Sequence, residues 1–85
     1  MNSSTALDDV KAVLVETLGV EDRAGSIDAS TELFGNLPEL DSMAVMELVF
    51  ALETRFGIEV EGEDVSAEMF ETLASLTAFV ESKLA

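Results

Sequence analysis

The chain has 85 residues, 48% of them apolar, with 18 acids against 4 bases for a net charge of −14. The apolar share is ample for a compact core and too high for a disordered chain. The length allows one small domain over residues 1–85. The charge sets aside nucleic acid and anionic membranes as partners, and the absence of Cys and His excludes disulfides, thiolate zinc sites and histidine-based catalysis.

No apolar run approaches membrane-spanning length, and Met1-Asn2-Ser3-Ser4 lacks a basic-apolar signal pattern. A cytoplasmic, monomeric protein that meets basic protein surfaces is expected.

The first helix is predicted over residues 5–18, with an N-cap from Ser3-Ser4-Thr5. Asp8 and Asp9 are placed in its first turn, Leu7, Val10, Val13, Leu14 and Leu18 recur at helical spacing, and Gly19 ends it. No period holds over residues 19–40, a long loop for so small a domain. Ile27, Leu33, Phe34 and Leu37 are expected to pin it to the core. A short turn is expected over residues 28–32, and Gly35-Asn36 and Pro38 are turn residues.

The second helix is predicted over residues 41–56, ended by Gly57. An extended stretch at 58–60, a charged turn at 61–64 and a short helix over residues 65–69 follow. Thr72 caps the last helix, whose apolar stripe is Leu73, Leu76, Phe79, Val80 and Leu84. The fold class is all-α: a small bundle of three main helices plus one short helix, with a long loop between helices one and two.

Two features of the second helix point to function. At 100° per residue, Val45, Leu48, Val49, Leu52 and Phe56 share one arc, the core face. Met43, Met46 and Phe50 fall opposite, beside Glu47, Glu53 and Thr54. A chain of this size cannot bury both arcs, so large apolar side chains ringed by carboxylates mark a docking face. Methionine is flexible and polarizable, which suits a surface that meets several partners.

The second feature is Ser42, at the mouth of that helix, where the positive end of the helix dipole favours a phosphate ester. A serine hydroxyl without a base is a poor nucleophile, and Ser42 does not lie in a Gly-x-Ser-x-Gly elbow. It is better placed to receive a group than to do chemistry, so no catalytic residue is assigned. The acids over residues 59–64 lack the alternating-oxygen loop of an EF-hand, and no metal ligand is assigned.

Leu40-Asp41-Ser42-Met43, Glu47-Leu48-Val49, Ala51-Leu52-Glu53 and Phe56-Gly57-Ile58 together resemble the acyl carrier proteins. Leu33-Phe34 in the loop and the run from Phe70 through Leu76 fit the same pattern, so the resemblance covers nearly the whole chain. It implies a carrier rather than an enzyme, with a covalent 4'-phosphopantetheine arm from coenzyme A on Ser42. The arm's thiol would supply the nucleophile that a cysteine-free chain lacks. The implied partners are a phosphopantetheinyl transferase and acyl-loading and acyl-transferring enzymes. Their basic patches would read Asp41, Glu47 and Glu53, and their apolar pockets Met43, Met46 and Phe50.

Departures from the family pattern point to a branch. Carriers of bulk fatty-acid synthesis have an acid where this chain has Ala44, and more acid where it has Thr54 and Arg55. The charge has moved to Glu59, Glu61, Glu63 and Asp64. A specialised lipid, polyketide or envelope-modification pathway is therefore expected, with an aminoacyl, D-alanyl or peptidyl carrier as the alternative. A reading of another class is an unmodified acidic adaptor that binds a basic partner through the second helix, with Ser42 only an N-cap.

Overall fold

A computed structural model describes residues 3–34, 37 and 40–84. Helix α1 spans Ser3–Leu18, α2 Ser42–Phe56 and α3 Leu73–Leu84, with short 3-10 helices at Glu21–Ser26 and Gly62–Asp64. The expected all-α bundle forms. Among the described residues, extended pairing is limited to one antiparallel bridge between Glu32 and Thr72.

Helix α1 starts two residues earlier than the periodicity predicted, so Asp8 and Asp9 lie beyond its first turn. The capping side chains expected at Ser3-Ser4-Thr5 and the turn residues Gly35-Asn36 and Pro38 lie outside the described residues. Gly19 takes the left-handed conformation (φ 67°) that a side chain resists, and the Val20 N–H reaches back to the Val15 carbonyl at 3.1 Å. Gly57 does the same for α2 (φ 66°), where the N–H groups of Gly57 and Ile58 both donate to the Glu53 carbonyl.

The core is shared by all parts of the chain. Val10 and Leu14 of α1, Leu48 and Leu52 of α2 and Leu73, Leu76 and Val80 of α3 are fully buried. Phe70 is the largest buried side chain, worth roughly 1.5–3 kcal/mol on removal from water. Of the predicted stripe, Leu84 is exposed and Phe79 half-buried.

The long first connection is tied down rather than loose. Val20, Ile27, Leu33, Leu37 and Leu40 are buried, whereas Phe34 is partly exposed with its ring 5.7 Å from that of Phe70. Its first part winds into the 3-10 helix Glu21–Ser26, which the sequence did not reveal. The expected turn forms, with the Thr31 N–H donating to the Asp28 carbonyl. The carbonyls of Thr31 and Ala29 then accept the N–H groups of Leu73 and Ala74, donors that the first turn of a helix leaves unpaired. Thr72 caps α3 as expected: Ser75 N–H donates to its Oγ1 at 3.1 Å, and Thr72 N–H donates to Ser75 Oγ at 2.9 Å.

The second connection corrects the prediction of a helix over residues 65–69. The 3-10 helix sits earlier, at Gly62–Asp64, and residues 67–70 form turns. Glu61 and Asp64 cap that 3-10 helix reciprocally, and the Met69 N–H donates to Ser66 Oγ. Met69 and Phe70 are thereby turned into the core instead of continuing a helix. Helix α1 packs against both other helices, while α2 and α3 touch each other little, and the second connection spans the gap between them.

Candidate functional site

Asp41, not Ser42, caps α2. Its Oδ1 accepts the Ala44 N–H at 2.8 Å, and its carbonyl accepts the Val45 N–H at 2.9 Å. Ser42 is the first helical residue, is exposed, and its hydroxyl has no hydrogen-bond partner among the described residues. Capping therefore does not explain the serine. The N–H groups of Ser42 and Met43 have no acceptor within the helix and stand at its positive end.

An apolar groove of about 430 Å³ opens at this point. Asp41 and Ser42 line it together with Val45 and Met46 of α2, Val65 and Ala67 of the second connection, and Phe34 and Phe70. A second hollow of about 270 Å³ continues along α2, sharing Val45, Met46 and Val65 and running on to Val49, Phe50, Glu53 and Val60.

The two faces of α2 are present as the spacing predicted. Leu48 and Leu52 are buried and Val45, Val49 and Phe56 half-buried, while Met43 and Met46 are 73% exposed and Phe50 69%. Asp41 and Glu47 are exposed beside this apolar stripe. Glu53 is placed differently: it is half-buried, and its Oε2 accepts the Val60 N–H at 2.9 Å. The structure thus brings Asp41, Met43, Met46, Glu47 and Phe50 onto one outer surface and turns Glu53 toward the second connection. Phe70 and Val65, which complete the groove, were missed as site residues because no local pattern in residues 65–72 brings them to Ser42.

Among the described residues no group of three or more carboxylates gathers to hold a metal ion, and no helix is long and apolar enough to cross a membrane. Arg55 pairs with Asp9 at 3.4 Å and Lys83 with Asp64 at 2.8 Å.

Comparisons with known proteins agree with this geometry. The family model described as "Phosphopantetheine attachment site" matches residues 8–80. An acyl carrier protein of Thermosynechococcus vestitus is 34% identical over 85 residues, covering 100% of this chain and 99% of the relative. One of Helicobacter hepaticus is 37% identical over 75 residues, covering 88% of this chain and 92% of the relative. The solution NMR structure of a holo acyl carrier protein from Nitrosomonas europaea superposes with a TM-score of 0.85 at 46% identity, covering 92% of this chain and 94% of that one.

Proposed function

Because the chain belongs to the phosphopantetheine attachment-site family of acyl carrier proteins, we propose that Ser42 carries the arm and that the outer face of α2 presents it to partner enzymes. Membership makes the protein a carrier rather than an enzyme, with phosphopantetheine as its covalent group. When attached, that group supplies a thiol that holds acyl cargo as a thioester. The observation that carries the site assignment is the division of labour at the helix start: Asp41 caps, leaving Ser42 exposed and unbonded at the mouth of an apolar groove.

The residues present fit the group. The free N–H donors of the first turn and the helix dipole favour a phosphate on Ser42 Oγ. Val45, Val65 and Phe70 offer an apolar shelter to an acyl chain that returns along α2. Met43, Met46 and Phe50 remain outside for a partner's apolar pocket, with Asp41 and Glu47 for its basic rim.

The α2 face has Ala44, Thr54 and Arg55 at positions where acids are usual in carriers of bulk fatty-acid synthesis, which supports a specialised lipid, polyketide or envelope-modification pathway. The docking face is tested by the kinetics of arm transfer from coenzyme A by a phosphopantetheinyl transferase. Met46→Ala and Glu47→Gln should each lower kcat/KM by about tenfold while leaving the melting temperature in place. Unchanged kcat/KM in both would remove this face from transferase recognition. The cargo branch is tested by offering the holo carrier, its arm thiol free, to acyl-transferring and to amino-acid-adenylating enzymes. Loading only by the latter would make it an aminoacyl carrier.

A further inference from the structure

One side of the acyl groove, from Ala67 near Ser42 to Val60 near Glu53, is a segment that touches the core through Val60 and otherwise lies at the surface. Every residue from 59 to 68 is exposed or half-buried, although Ile58 before it and Met69 and Phe70 after it are buried. Two polar ties fix its position. Glu53 Oε2 accepts the Val60 N–H at 2.9 Å, and Lys83 Nζ meets Asp64 Oδ2 at 2.8 Å. The same Asp64 oxygen accepts the Glu61 N–H at 3.0 Å, so Lys83 braces the 3-10 turn as well as the carboxylate. Each partner responds to the other: Lys83 holds the Asp64 carboxyl below its ordinary range, and Asp64 raises the Lys83 ammonium above its own.

Glu53 lies eleven residues beyond Ser42 on α2, about 16 Å along the helix axis. Its tied carboxylate stands where the apolar lining gives way to Glu61 and Gly62. A hydrocarbon chain that reaches it would have to desolvate a charge. With α2 and α3 in so little contact, movement of residues 60–64 would lengthen the groove without breaking either helix.

We propose that Glu53 and Lys83 are positioning residues that clamp residues 60–64, the end of this wall farthest from Ser42, and so set the length of acyl chain the protein shelters. The proposal rests on the reading that cargo attached at Ser42 returns into the groove.

The test uses the full chain loaded on Ser42 with acyl-phosphopantetheine from coenzyme A thioesters of six to sixteen carbons. The gain in melting temperature over the unacylated holo form is recorded for each chain length. The native protein should show a gain that grows with length and then levels off. In Glu53→Leu and in Lys83→Met the plateau should move at least two carbons longer, and Lys83→Arg should restore the native plateau. Amide exchange in the unloaded variants should quicken about tenfold over residues 60–64 and nowhere in α1. An identical plateau in the native protein and both variants, or unchanged exchange over residues 60–64, would overturn the clamp. No gain at any length in the native protein would overturn the sheltering reading itself, and the clamp with it.

Discussion

The cap that Asp41 supplies can be separated from its proposed part in partner recognition because asparagine caps helices as well as aspartate does. Asp41→Ala removes the bond to the Ala44 N–H and should cost about 1 kcal/mol of stability. Asp41→Asn should keep the cap and the melting temperature yet slow arm transfer, since it loses only the charge; equal transfer rates would leave Asp41 a cap and nothing more. Asp28 makes a different kind of local statement. Hydrogen bonds from the Ser30 hydroxyl, from the Thr31 hydroxyl and from the Ser30 N–H hold its carboxyl below its ordinary value. The sign follows: a depressed carboxyl contributes stability above the unfolded value, and that contribution is lost as the pH falls through the folded one. Its carboxyl resonance should titrate below that of a free aspartate, and Ser30→Ala should move the midpoint upward. A midpoint indifferent to Ser30 would contradict the assigned cause.

Helix ends were more legible in the sequence than the short segments between them. Gly19 and Gly57 stop α1 and α2 where the apolar period stops, because only the left-handed turn lets the chain leave the helix there. An added Cβ at Gly57 would meet nothing within 4 Å, so Gly57→Ala tests backbone conformation alone. It should destabilise by about 1 kcal/mol in denaturant unfolding; no loss would mean that the left-handed turn carries no cost. The two faces of α2 were also readable, since a 3.6-residue period fixes which side chains share an arc. Other features depended on distant partners that no local pattern encodes. Residues 65–69 read as a helix because their composition allows it, but Ser66 and the burial of Met69 and Phe70 bend them into turns. The 3-10 helix Glu21–Ser26 lies against α1, and the bridge from Glu32 to Thr72 forms where the loop meets the residue before α3. At the site, Ser42 stood out through its place at the helix mouth, whereas the orientation of Glu53 toward Val60 required the second connection to be in place.

For the whole molecule, the net charge of −14 on 85 residues bears on stability and on the proposed encounter with basic partners. Self-repulsion opposes the compact state, while in the proposed docking the same charge would attract a basic partner surface. Raising sodium chloride from about 0.01 to about 0.5 M shortens the screening length several-fold. The melting temperature should then rise by at least about 4 °C, which roughly 1 kcal/mol produces in a domain of this size. The same salt should slow partner association, and a flat melting temperature would show that repulsion is already relieved within the fold. The shape of the molecule serves the carrier role: α1 packs on both other helices, and the weak contact between α2 and α3 leaves the groove that opens at Ser42.

The most direct test of that role is intact-mass and fragmentation analysis after incubation with coenzyme A and a broad-specificity phosphopantetheinyl transferase. One arm should be gained, mapped to Ser42, and lost in Ser42→Ala with its helical spectrum unchanged. An arm retained in Ser42→Ala, or an unmodified native chain beside a carrier modified in parallel, would contradict the assignment.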